Sequence, residues 1–160
     1  MNEYQRRLMD IVGNDNYIAS FADPSREVMF IDNYCYSIDF ASVGAPIANA
    51  AAQTFPLIMD SDSTFILTSI SGCATLLGNT TPDFNAAVLV QILNKSSGLN
   101  FFNIPTMLPH IAGAGGFPFL LTSPRIILPR VTLAVSAQSA QAVSFQQFSL
   151  TMNGSRIYYR

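Results

Sequence analysis

From about residue 37 onward, apolar and polar positions alternate in short runs punctuated by Gly, Pro, Asn and Asp, the pattern of strands rather than helices. Ser37–Ser42 reads as a strand, and so does Thr64–Ser71, entered from the turn-forming run Asp60-Ser61-Asp62-Ser63. Ala86–Leu93 is apolar at consecutive positions, which predicts a strand covered on both faces. Gly78–Pro82, with Asn79, Thr80 and Thr81, separates those two runs. Ile126–Leu128 and Val131–Gln138 form the next strand region, with Pro129 at a bulge or a sheet edge. The alanine-rich stretch Ala45–Gln53 is a candidate helical turn.

Val143–Tyr159 closes the chain and carries a slip of phase. Val143 and Phe145 share one parity, whereas Phe148, Leu150 and Met152 share the other. Strand side chains have a period of two, so the inner face continues only if one residue is inserted; this predicts a bulge at Gln146-Gln147. Asn153-Gly154 is compatible with a tight hairpin turn or with a kink in one long strand, and the few residues that follow favour the single strand.

The first residues differ. Leu8, Ile11 and Val12 lie at helical spacing with Gly13 as a stop, which predicts a short helix over 3–12. Residues 14–36 hold no sustained period and read as an extended arm anchored by Tyr17, Phe21, Phe30, Tyr34 and Tyr36. The chain thus divides into an N-terminal helix and arm, 1–36, and a β domain, 37–160. On this division, removing residues 1–33 leaves the β domain folded. Six to eight short strands with many turns predict a mainly β fold, an antiparallel β-sandwich or jelly roll.

The stretch Ser96–Pro124 contains no Asp, Glu, Lys or Arg. It is long enough for a membrane span of about 20 residues. Pro105, Pro109, Pro118 and Pro124, with Gly98, Gly113, Gly115 and Gly116, forbid a continuous helix and argue against a membrane. A connection this long and this apolar is expected to be buried in the fold or under a partner. Charged residues make up 11% of the 160-residue chain, against about 25% in an average protein. Only 8 Lys and Arg with a net charge of −2 leave no electrostatic footprint for nucleic acid. Residues 1–62 hold nine acids and three bases, residues 63–160 one acid and five bases, so an acidic N-terminal part could lie against a basic surface. The N-terminus, with Glu3, Arg6, Arg7 and Asp10, does not read as a signal peptide. Cys35 and Cys73 read as free thiols rather than a disulfide scaffold.

Candidate chemistry is sparse. His110 is the only histidine, so hydrolytic triads and His-based zinc sites have little to draw on. Asp60-x-Asp62 starts like a calcium loop, but the residues that follow supply no Glu to close the site. Gly113-Ala114-Gly115-Gly116 lacks the Lys-Ser/Thr ending of a phosphate loop. Asp60, Asp62 and Asp83 all occupy turn-like contexts, and a hydrolase would require them to converge. Catalytic, cofactor and metal sites are therefore not expected. The exposed-reading aromatics and the uncharged loop point instead to partner contacts. The candidates are Tyr17, Phe21, Phe30, Tyr34, Phe101, Phe102, Met107, His110, Phe117, Tyr158 and Tyr159.

Two stretches carry a resemblance: Phe55-Pro56-Leu57-Ile58-Met59-Asp60-Ser61-Asp62-Ser63-Thr64-Phe65-Ile66-Leu67-Thr68-Ser69-Ile70-Ser71-Gly72, and Phe117-Pro118-Phe119 through Pro124-Arg125-Ile126-Ile127-Leu128-Pro129 to Leu150-Thr151-Met152-Asn153-Gly154-Ser155-Arg156-Ile157-Tyr158. They resemble the small capsid decoration, or cement, proteins of tailed bacteriophages. The resemblance spans about residues 30–160 and leaves out the N-terminal helix and arm. It implies a jelly-roll or β-sandwich virion protein, made in the host cytoplasm, that binds the outside of a phage head and bridges neighbouring capsomers. The implied partners are the major capsid protein and the chain itself as a dimer or trimer, with no catalytic residues, nucleic acid, membrane or small-molecule substrate. The competing expectation is a tail or fibre module that binds a host-surface glycan.

Overall fold

The computed structural model describes residue 23 and residues 25–40, 47–48, 51–114 and 117–160. The predicted helix over 3–12, the anchors Tyr17 and Phe21, and Ala45, Pro46, Asn49 and Ala50 lie outside these residues; the described rest of Ala45–Gln53 is not helical, since Ile47 bridges Phe145 and Gln53 begins a strand. The described chain runs β1 (Val28–Asp39), β2 (Gln53–Ile58), β3 (Ser63–Leu76), β4 (Val88–Asn94), β5 (Leu99–Asn100), β6 (Thr106–Met107), a single helical turn α1 (Leu108–Ile111), β7 (Phe119–Ile127), β8 (Thr132–Ser139) and β9 (Phe145–Tyr159). These strands form two antiparallel sheets, one ordered β1-β9-β3-β7 and the other β2-β8-β4-β5, with β6 also pairing β4. The mainly β, antiparallel expectation holds.

Both sheets feed one core. Tyr36 and Ile38 of β1, Phe65, Leu67 and Ile70 of β3, and Phe148, Leu150 and Met152 of β9 pack with Val88, Val90 and Ile92 of β4 and Leu133 and Val135 of β8. Aromatic rings close the β1–β2 flank: Phe40 stacks on Phe55 with centroids 3.8 Å apart and on Phe148 at 4.8 Å. A smaller cluster of Ile66 and Ile157, flanked by Val28, Ile31 and Tyr159, sits on the opposite face of the first sheet.

The predicted bulge is present. Thr75 pairs with Gln147 and Leu76 with Phe145, so Gln146 is the extra residue and both Phe145 and Phe148 turn inward. β9 then runs unbroken through Asn153-Gly154, as one strand and not a hairpin. Opposite Gly154, β3 carries a bulge of its own at Thr68, whose hydroxyl donates to the Asn153 carbonyl at 3.2 Å.

Four expectations need correction. The boundary at 36/37 falls inside β1, which pairs with β9 from Val28 to Asp39, so residues 28–36 are sheet and not arm. The alternation was present in Phe30, Tyr34, Tyr36 and Ile38, and Asp32 masked it by occupying the same face. Ala86–Leu93 is not covered on both faces: β4 alternates buried and half-buried positions, whereas β3 is buried on both sides along ten consecutive residues. Pro129 does not sit within a continuous strand region. Pro129 and Arg130 form a turn between β7 and β8, which belong to different sheets, and Arg130 adopts φ 62° while its N–H bonds the Asp60 carbonyl at 3.0 Å. Finally, Ser96–Pro124 is no structureless loop. It supplies β5, β6, α1 and the first half of β7, and it seats Leu108 and Ile111 in the core.

Candidate functional site

The antiparallel register gathers a polar corner where the N-terminal half of β1 meets the C-terminal half of β9. Asp32 stands directly opposite Arg156, which stands opposite Phe65 of β3. Phe30, Asp32 and Tyr34 share a face by strand period, as do Arg156 and Tyr158. The Arg156 guanidinium bonds Asp32 Oδ2 at 3.0 Å and Asp60 Oδ2 at 2.8 Å, and lies 3.6 Å above the Tyr34 ring centroid. Asp60 Oδ2 also accepts from the Tyr36 hydroxyl at 2.9 Å. Phe30 stacks on Tyr158, centroids 4.2 Å apart, at the outer end of this row.

Burial works against the charge on Arg156, and its hydrogen bonds to Asp32 and Asp60 more than offset that, holding the guanidinium charged. Desolvation pushes the Tyr36 hydroxyl up to about 12. Both terminal nitrogens of Arg156 are thus taken by carboxylates and its plane by a ring, while the buried Nε has no partner. The corner ties β1, β9 and the β2–β3 connection together, and it offers a partner the exposed rings Phe30 and Tyr34 rather than a free charge.

A second feature lies at the opposite edge of the same sheet. Four residues of β7, Leu121–Pro124, bulge out of the ladder between the Leu67–Arg125 and Ser69–Leu120 pairs. Beside the bulge opens a cleft of about 570 Å³ lined by Phe102, His110, Phe119, Leu121 and Arg125 among others. Arg125 donates to the Phe101 carbonyl at 2.9 Å and lies 4.9 Å from that ring centroid, so its charge is turned along the cleft wall. Along β7 and its flanks, Phe117 is 60% exposed, Phe119 41%, Ile126 48% and Leu128 60%. Arg125 is the one charged residue from 117 to 128.

The structure separates the sequence candidates. Phe30, Tyr34 and Tyr158 gather at the β1–β9 corner, whereas Tyr159 lies on the opposite face of the sheet, where it is covered by Arg26 and bonds the Asp23 N–H. Phe102 and His110 share the β7-side cleft, and Phe101 flanks it. Phe101 and Phe102 pack half-buried against the molecule's own core, and Met107 is half-buried in β6, so these are not free anchors. Phe117 is exposed and stands beside Phe119 and the start of β7. Sequence reading did not single out Ile126 or Leu128; a hydrophobic run at a strand edge gives no sign of which residues face outward until the register is known. Met29, 60% exposed, belongs in the same category.

Asp60 and Asp83 do not converge. Asp60 precedes β3 and is tied to Arg156, whereas Asp83 bridges Ala74 near the far end of β3. Ser63 and Ala74 are separated by roughly 30–35 Å of strand. Among the described residues no three His, Cys, Asp or Glu side chains come together. Cys73 is half-buried and its thiol is pushed up by burial and by Asp39, while Cys35 is exposed on the face of β1. No protein-family model and no curated protein matches the chain.

Proposed function

We infer that the chain is a structural virion protein that binds the outer surface of a phage capsid and cements neighbouring capsomers. The observation that carries this reading is the β7 edge: four exposed apolar side chains over residues 117–128, with a single charge that is turned aside. Such a surface suits the core of a protein–protein contact, where charged residues are depleted and aromatics enriched. Patches of this kind on a folded protein mark interaction sites. A shell repeats each contact many times, so a modest affinity per copy suffices.

Strand order supports the finer jelly-roll reading. β1 pairs with β9, β2 with β8, β3 with β7 and β4 with β5, a nested series equivalent to one long antiparallel hairpin rolled up. The β3–β9 and β4–β8 ladders then complete each sheet. Double-sheet folds of this order occur in viral capsid and in lectin domains alike, so function rests on the edge and not on the fold. On this reading the partners are the major capsid protein and other copies of the chain, and the location is the virion surface.

The test is co-sedimentation of the purified protein with phage heads, together with the temperature at which the heads release their DNA. Binding and a higher release temperature are expected. The double variant Phe119→Lys/Ile126→Lys should keep the fold and lose binding. Absence of binding, or heads of unchanged stability, would overturn the reading, and glycan-array binding by the isolated protein would replace it with the fibre-module alternative.

A further inference from the structure

Among the described residues the two sheets have four lateral edges, and three of them are guarded against adding another strand. β2 carries Pro56 at its middle. β7 carries Pro124 and the four-residue bulge. β5 and β6 are two residues each. These are the devices by which natural sheets avoid pairing edge to edge. β1 has none of them over most of its length. Its irregularity is confined to Met29; from Phe30 to Asp39 ten residues run in unbroken register with β9, without Pro, Gly, Lys or Arg. Among the described residues no strand takes its outer side.

We propose that β1 pairs antiparallel with β1 of a second copy of this chain across a twofold axis, joining two four-stranded sheets into one of eight strands. An isologous antiparallel contact is self-complementary by construction, because each copy offers the other the same donors and acceptors. Charge does not oppose it. Asp32 is already paired with Arg156, and antiparallel pairing sends the two Asp39 side chains to opposite ends of the contact, about 30 Å apart. Among the described upstream residues, Arg26 N–H closes a turn on the Asp23 carbonyl at 3.1 Å and Asp23 N–H bonds Tyr159 Oη, so this short segment is tied to β9.

Ten paired residues with the adjoining Phe30 and Tyr34 rings bury on the order of 1,000 Å² in total, the low end of specific interfaces. The dimer is therefore reversible and depends on concentration. The pairing is independent of the capsid reading, since it concerns a different edge and needs no head to be present.

Cys35, exposed near the middle of β1, supplies the probe. Twofold pairing centred on the strand places the two Cys35 residues within about 10 Å of each other. Sedimentation equilibrium of the full chain over a wide concentration range should show a reversible monomer–dimer equilibrium. A short bis-maleimide should cross-link the Cys73→Ser variant through Cys35. Cys35→Lys should weaken the dimer at least tenfold while Cys35→Thr leaves it intact, and hydrogen exchange at β1 amides should slow as concentration rises. A monomer at every concentration overturns the proposal. So does a dimer that Cys35→Lys leaves unchanged, or that Cys35 does not cross-link, which must use another surface. Protection of the β1 amides that is independent of concentration overturns it too, because the chain itself would then cover the edge.

Discussion

Gly154→Ala tests the packing of the molecule at its tightest point. Gly154 lies in β9 between Tyr34 of β1 and Leu67 of β3, opposite the Thr68 bulge. A Cβ built there runs into the Ile66 carbonyl oxygen and comes within 3.0 Å of Phe65 Cζ. A carbon–oxygen contact needs about 3.3 Å, so β3 and β9 must part by roughly an ångström. That takes neighbouring ladder bonds from about 2.9 Å to well outside bonding range. Two such bonds at about 1 kcal/mol each and about 2 kcal/mol of overpacking give a loss of about 4 kcal/mol. For a chain of this size about 3 °C accompanies each kcal/mol, so Tm should fall by about 12 °C. Thermal unfolding followed by circular dichroism measures it. Gly72→Ala is the graded comparison: its nearest neighbours would be Ser149 O at 3.0 Å and Leu108 Cδ1 at 3.1 Å, one of them a movable side chain, and its loss should be smaller. Since the obstacle is backbone, adding Phe65→Leu to Gly154→Ala should not rescue stability. A Tm within 3 °C of the wild type, or rescue by Phe65→Leu, would refute the reasoning.

Arg156→Met removes the partner of Asp32 and Asp60 and the cation over Tyr34. Both carboxylates are partly exposed, with side-chain accessibilities of 46% and 40%, so the expected loss is about 2 kcal/mol rather than the larger cost of a fully buried pair, read from urea unfolding. Tyr36 titrates in the fold near 12 against 10.0 when unfolded. The unfolded state therefore loses its proton first as pH rises, so the contribution is full below pH 10 and disappears between 10 and 12; Tm against pH should drop in that window for the wild type and less steeply for Tyr36→Phe. Deleting Gln146 alone should force Phe145 or Phe148 out of the core, and the variant should expose a dye-binding apolar surface. Removing residues 1–33 should lower Tm sharply, because the cut takes the first half of β1 from its ladder with β9; a fully stable product would show that β1 is dispensable.

The legible parts of this fold are those in which neighbouring positions carry the information. The bulge at Gln146 could be read because Phe145 and Phe148 have opposite parity within a few residues and strand geometry permits one resolution. The single-strand course through Asn153-Gly154 followed from the shortness of what comes after. Gly154 itself looked like a turn residue, and its actual role depends on Ile66, 88 positions away in the sequence.

The Arg156 corner belongs to the other kind. Its acceptors lie 124 and 96 residues upstream, and each of Asp32, Tyr34 and Asp60 is unremarked in its own neighbourhood. Asp32 even concealed the strand it belongs to, since a charge at an inward-facing position argues against a sheet until its partner is known. The parity that links Phe30, Tyr34, Tyr36 and Ile38 was nonetheless available, and one acid in such a series is itself a signal that a cation stands opposite. The uncharged stretch 96–124 failed in the reverse direction. Its Pro and Gly residues read as breaks in structure, whereas Pro109 sits in the first turn of α1, where its missing N–H costs nothing, and Pro124 lies in the β7 bulge, where no ladder bond is lost. The same residues that made this stretch look like a loop shape an edge that resists strand addition while displaying Phe119 and Ile126. Its apolar surface is thereby suited to side-chain docking, and β1, which lacks such residues, is, among the described residues, the edge left open to pairing through the backbone.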